Sequence, residues 1–207
     1  MPKLHVSDHP LVQDKLARLR DKETKPQDFR RLMAEVGLLV GCEVLKSVRT
    51  RKAAVQTPLK SAPATVLDQP LAFVAVLRAG LGLIPGLLEL APKAAIGHIG
   101  LYRDEKTLNP VRYYVRLPKK LSDHFVVLCD PMLATGGSAS ESLHILKTDG
   151  AKNIALLTLL ASKAGVARVH RDHPDVAIYT AAVDPVLNSH GYIVPGLGDA
   201  GDRLFNT

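Results

Sequence analysis

Apolar positions in the first fifty residues recur at helical spacing. Val12, Leu16 and Leu19 stand at i, i+4 and i+7, which predicts an amphipathic helix over residues 10–20. Pro26 suits the first turn of a second helix, and Phe29, Met33, Val36, Val40 and Val44 keep one face apolar to about residue 48. Both helices precede any strand signal. They can serve as an arm or dimerisation element, or cover a core, and the pattern leaves both open. The period then changes. Residues 71–77, LAFVAVL, form a continuous apolar run of strand length, as in a strand buried on both faces. A Gly- and Leu-rich helix follows to about Leu90. Residues 94–102 (AAIGHIGLY) and 111–117 (VRYYVRL) predict a hairpin whose charged, mobile loop is RDEKTLNP, with Asn109-Pro110 as a turn signal. FVVLC at 125–129, IALLTLL at 154–160 and VAIYTAAV at 176–183 complete the strands. Strands alternating with helices predict an α/β fold, a mostly parallel sheet flanked by helices.

Length and composition narrow this picture. The 207 residues suit one domain, and at that size folding buries about 70% of the unfolded surface. Aromatics are few, so Leu, Val, Ala and Ile must fill the core. The polar, interrupted start is no secretory signal, and no apolar run approaches the ~20 residues of a membrane span. Cys42 and Cys129 have no zinc or CxxC spacing, which fits a reduced, cytoplasmic compartment. The net charge of +7 permits nucleic-acid binding. The basic residues are dispersed without interleaved aromatics, however, which fits a solvated surface or a site for an anionic small ligand better.

The candidate chemistry lies in residues 129–142, CDPMLATGGSASES. A strand stops on Asp130 and hands over to a Gly-rich turn and a helix. Ser138-Ala139-Ser140-Glu141 fits the S-x-x-E capping box, which predicts a helix over 138–149 capped by Ser138. With the strands on either side this is a βαβ unit, and the loop 130–137 lies at the carboxyl end of a parallel strand, where α/β sheets bind ligands. Gly136 and Gly137 permit close approach of an anion. Successive N–H groups at a helix start form an anion nest, and Thr135 and Ser138 add hydroxyl donors. Asp130 is unsuited to phosphate but suits a sugar hydroxyl or a water on a metal ion. A phosphate, a ribose and Mg²⁺ side by side would satisfy the whole set.

Three competing motifs fare worse. Gly196 to Gly201 matches G-x-G-x-x-G, but only six residues remain for the helix and acidic residue of a dinucleotide site. No Walker A sequence is present. Ser138, Asp184 and His190 stand in hydrolase order, yet Ser140 replaces the last glycine of G-x-S-x-G.

DPMLATGGSA resembles the phosphoribosyl-diphosphate (PRPP) signature of the uracil phosphoribosyltransferases. The likeness extends to VLRAGLG (76–82), GLYRDE (100–105), YYVRLP (113–118), HPDVAIYTAAVD (173–184) and GYIVPGLGDAGDR (191–203), so it covers essentially the whole chain. It implies a single domain over 1–207, with an N-terminal helical part (1–50), a hairpin with a flexible loop (100–117) and a uracil-binding hood (185–207). It also implies transfer of a 5-phosphoribosyl unit from PRPP to N1 of uracil, giving UMP and diphosphate for pyrimidine salvage. Asp130, Pro131, Met132, Leu133, Ala134, Thr135, Gly136, Gly137 and Ser138 would cradle the 5-phosphate and ribose. Arg78 and Arg103 would bind PRPP, since guanidinium makes forked bonds to phosphate. Ile193, Gly198 and Ala200 would meet uracil, with Asp199 between uracil and PRPP. Catalytic roles are implied for Asp130, Asp199 and Arg103. Mg²⁺ would be held through PRPP and waters rather than by direct side-chain ligation. A homodimer or higher homo-oligomer is implied, GTP is a candidate activator as in some relatives, and no membrane partner is expected. An RNA-binding regulator on the same fold is the alternative, and the intact uracil motif argues against it. Two departures stand out. Ser162-Lys163-Ala164-Gly165 replaces the more usual Ala-Pro-Glu-Gly in what reads as a peripheral loop, and Cys42 stands where an aromatic residue is expected.

Overall fold

A computed structural model describes residues 3–103 and 110–207. The chain opens with a short strand, β1 (Leu4–Val6), then helices α1 (Pro10–Arg20) and α2 (Pro26–Leu45). An antiparallel hairpin follows, β2 (Thr50–Gln56) and β3 (Ser61–Leu67). Next come β4 (Leu71–Leu77), a 3-10 turn over Ala79–Gly82, α3 (Ile84–Leu90), β5 (Ala95–Arg103) and β6 (Pro110–Arg116). The second half contains β7 (Phe125–Cys129), β8 (Met132–Leu133), α4 (Gly137–Thr148), β9 (Asn153–Ser162), α5 (Lys163–Asp172) and β10 (Ala177–Asp184). Two short strands, β11 (Val186–Leu187) and β12 (Ile193–Val194), and a last helix, α6 (Ala200–Phe205), close the chain.

The central sheet runs β1-β10-β9-β7-β4-β5-β6, and β8 adds to β9. Every neighbouring pair is parallel except β5 with β6. The unbroken apolar run of β4 now has its reason. Leu71, Phe73 and Ala75 enter the core on one face, and Ala72, Val74 and Val76 enter the core on the other. β7 divides likewise, with Val127 and Cys129 on one side and Val126 and Leu128 on the other. The first core is closed by the N-terminal helices, whose Val12, Leu16, Leu19, Phe29, Met33, Val36, Val40 and Val44 are all buried. Of the two readings of α1 and α2, the structure therefore displays covering of the core. α4 and α5 close the second core through Leu143, Leu146, Val166 and Val169.

Four expectations need correction. A strand does precede the helices. β1 has three exposed residues, too few to carry a period, and it is held by pairing with β10 and by His5 stacking on Tyr179 at 4.4 Å. The β2–β3 hairpin was also missed, because it is largely exposed on both faces and has no apolar side to betray it. Helix α4 starts one residue early. Gly136 is its N-cap, in the left-handed region at φ 76°, and no capping box forms at Ser138. The second helix ends at Leu45 rather than near residue 48. The expected β5–β6 hairpin forms, while its loop, 104–109, lies outside the described residues. Among the described residues no helix is long and apolar enough to cross a membrane.

Candidate active site

Sheet order locates the site. From β4 the chain moves to β5 and β6 on one side, then crosses back to β7 on the other and continues outward to β9 and β10. The carboxyl ends of β4 and β7 therefore flank the point where the winding reverses, which is where open α/β sheets hold ligands. Arg78 follows β4, and Asp130 follows β7.

A cavity of about 280 Å³ opens there, lined by Arg78, Ala79, Asp130, Thr135, Gly136, Gly137, Ser138, Asp199 and Gly201, among others. A second cavity of about 220 Å³ adjoins it, lined by Pro131, Tyr192, Ile193, Gly198 and Ala200 among others. Both are walled by Ala79, Asp130, Met132, Ala134, Asp199 and Gly201. Asp130 and Asp199 thus stand on the partition. Leu133 lines the first cavity as well. The side chain of Arg103, expected to contact PRPP, lies outside the described residues.

The loop before α4 is held from beneath. Pro131 O accepts from the N–H groups of Leu159 and Leu160 and, at 3.0 Å, from Thr158 Oγ1. Asp130 N–H donates to Leu157 O at 3.1 Å. Ser162 Oγ donates to Ala134 O at 2.6 Å and accepts from Gly165 N–H at 2.9 Å, so one hydroxyl caps α5 and ties down the loop. The 162–165 departure is therefore not peripheral: it underlies the Gly-rich turn. Cys42, the other departure, is exposed. The first amides of a helix have no intrahelical acceptor, and α4 carries no acidic residue in its first turn, so its positive end faces the first cavity uncompensated by its own side chains. This turn suits an anion.

Electrostatics separate the two sides. The half-buried Asp130 carboxyl is pushed up to about 7 by burial, against the smaller pull of the Met132 N–H. Cys129 beside it is fully buried and its thiol is pushed up by burial and by Asp130. Arg78 is exposed at the cavity mouth, 3.3 Å from Asp202 Oδ1 and with its guanidinium 5.5 Å from the Phe205 ring centroid. Asp199 caps α6, accepting from Asp202 N–H at 2.9 Å, which fixes it on the partition. The hydrolase-like set does not assemble. Asp184 is engaged by Arg20 and the Gly196 amide, and His190 Nδ1 lies 3.4 Å from Ser189 Oγ.

Several residues at this site escaped the sequence reading. Ser162 was noticed only as a departure. Arg168 stands against the start of α4: a side chain at Gly137 would meet its Nη1 at 3.4 Å. Arg20 and Arg203 grip the C-terminal segment from α1 and α6. Their partners lie up to 184 residues away, so no local spacing could reveal them.

A crevice at the winding reversal, with a Gly-rich turn and a helix N-terminus beside it, fits the fold of the phosphoribosyltransferases. The fold agrees with solved members of that class at low identity: a Staphylococcus aureus hypoxanthine phosphoribosyltransferase (TM-score 0.53, 13% identity, 76% of each chain) and a Pyrococcus horikoshii purine phosphoribosyltransferase (TM-score 0.50, 18% identity, 74% of this chain and 86% of that one). The family model described as Uracil phosphoribosyltransferase matches residues 6–207, and the chain belongs to that family. It is 53% identical to the uracil phosphoribosyltransferase of Dictyoglomus turgidum over 98% of both chains. It is 51% identical to that of Thermus thermophilus over 99% of both. A solved Aquifex aeolicus protein superposes with a TM-score of 0.92 at 34% identity, over 98% of this chain and 97% of that one.

Proposed function

We propose that the chain transfers the 5-phosphoribosyl group of PRPP to N1 of uracil, releasing diphosphate and forming UMP. The observation that carries this reading is the pair of adjoining cavities with Asp130 and Asp199 on their common wall. The Thr135–Ser138 turn takes the 5-phosphate. Asp130 meets the ribose hydroxyls, and Arg78 meets the diphosphate at the mouth. Uracil lies in the second cavity against Ile193, Gly198 and Ala200, so that N1 faces C1 of the ribose across the partition.

Charge then dictates the roles. The bond from C1 to diphosphate breaks as N1 bonds to C1, uracil N1 gives up its proton to the departing diphosphate or to solvent, and positive charge grows on the ribose while negative charge grows on the leaving group. Arg78 stabilises the leaving group, and the carboxylates of Asp130 and Asp199 flank the ribose. Magnesium, carried on the diphosphate of PRPP, would neutralise that group further. The chemistry of Asp130 fits it: a carboxyl that burial pushes up to about 7 would be favoured in its ionised, hydrogen-bond-accepting form beside a cation.

Labelled uracil, PRPP and Mg²⁺ should yield labelled UMP and one diphosphate per UMP. Folded protein that makes neither product refutes the assignment. The base side has its own test. Uracil shows a donor N3–H between two carbonyls, whereas cytosine shows an acceptor N3 beside an amino group. A site built on hydrogen bonds rejects such a mismatch by about 10⁴-fold. 5-Fluorouracil keeps the edge and should be used; comparable turnover of cytosine would rule out base reading at 191–203.

A further inference from the structure

The two ends of the chain meet beside the second cavity. Arg20, the last residue of α1, donates from Nη1 and Nη2 to the two carboxylate oxygens of Asp184, each at 2.7 Å. Nη1 also donates to Gly196 O at 2.8 Å, and Gly196 N–H donates to Asp184 Oδ2 at 2.9 Å. One fork thus engages both backbone groups of Gly196, directly or through Asp184. Gly196 has φ 60°, and a side chain there would run into Ile193 O, so the turn folds tightly back on the residue proposed to meet uracil. On the other side, Arg203 donates to Leu197 O at 2.8 Å, to Asp21 O at 2.5 Å and to Leu19 O, with its guanidinium 4.4 Å from the Phe29 ring centroid. Residues 196–197 are therefore held between α1 and α6. Asp184 is only 5% exposed, and its carboxyl sits below the usual range because Arg20, and then the Gly196 amide, bond its ionised form.

This fork lies outside both cavities. The segment it holds has little regular structure of its own, because β12 has two residues and α6 has six. Base recognition through backbone groups is only as accurate as the position of that backbone. We infer that Arg20 and Asp184 are positioning residues for the base. They set where Ile193 and Gly198 stand, so helix α1 governs uracil affinity without touching the PRPP seat. The part concerning uracil rests on the proposed function; the positioning of residues 193–198 does not.

The experiment compares the parent chain with Arg20→Lys, which keeps charge but loses the fork, with Asp184→Asn, and with Arg20→Ala if it folds. Amide hydrogen exchange and steady-state kinetics are measured on each, with melting curves to confirm folding. Exchange should accelerate at 193–198 and stay unchanged at 130–138. The KM for uracil should rise about tenfold or more while that for PRPP stays within about twofold, because misplacing one partner spoils one side of the reaction. A folded Arg20→Lys or Asp184→Asn protein with parental exchange at 193–198 and parental uracil KM overturns the inference. So does a parallel rise in both KM values, which marks general loosening. If the parent chain itself does not use uracil, the base reading falls, and the exchange comparison alone still decides whether the fork positions the segment.

Discussion

Replacing Asp130 by Asn should stabilise the protein at alkaline pH while reducing its turnover. The carboxyl moves from an ordinary 3.8 to about 7 in the folded chain because burial disfavours its charge. An acid whose folded pKa is raised binds more protons folded than unfolded between those two values. Its favourable contribution is complete below 3.8 and is lost as pH rises through about 7. Between pH 5 and pH 8 that loss comes to about 2.6 kcal/mol for a fully shielded group, and about 2 kcal/mol is the better figure for a group partly open to water. Asn keeps the shape but does not titrate. The stability of Asp130→Asn relative to the parent should therefore climb by about 2 kcal/mol from pH 5 to pH 8, seen as about 4–8 °C in relative melting temperature. Thermal or urea melts of both proteins at pH 5, 6, 7 and 8 supply the measurement, and all other titrations cancel in the difference. A difference that stays flat across this range would refute the reasoning, because the carboxyl would then be well solvated. The trade expected, activity against stability, is that of a site kept strained for use.

The other predictions are shorter. Arg78→Ala should raise the KM for PRPP roughly tenfold or more, since a hydrogen bond to a charged group is worth ~1.5–3 kcal/mol, while leaving the melting temperature nearly unchanged because the side chain is exposed. An unaltered PRPP dependence would make it a surface charge. Gly198→Val places a branched residue at φ 80° on the wall of the second cavity and should abolish uracil use while sparing PRPP binding by calorimetry. Ser162→Ala removes both the α5 cap and the bond to Ala134 O; it should cost about 1–2 kcal/mol in urea unfolding and weaken PRPP binding.

What could be read from the sequence was what is decided locally. β4 and β7 announced themselves because each is buried on both faces, and apolar residues at every position leave no other assignment of that length. The Gly-rich turn at the carboxyl end of β7 was legible because glycines, hydroxyls and a helix start are neighbours in the chain. Even there the capping detail failed. Gly136 can adopt a positive φ that no pattern weighs against a serine two residues on, and it took the cap. β1 was hidden because its stability is borrowed from β10. Ser162 was visible as an oddity, but its partner Ala134 lies 28 positions back, across a helix and a strand. The Arg20–Asp184 fork joins residues 164 apart and could not be foreseen from either end.

That separation also orders the molecule in time. Synthesis proceeds from the N-terminus, so β1 and α1 are made first, yet the strand on which β1 pairs and the acid that Arg20 grips belong to β10. Once β10 has emerged, the chain already holds Arg78, Asp130 and the whole Thr135–Ser138 turn, while Ile193, Gly198 and Asp199 are still to come. A growing chain therefore holds the turn before α4 before it owns the residues 191–201 that line the second cavity. Helix α1 can pack on α2 early, but its last residue, Arg20, waits for the end of β10 before it has an acid to hold.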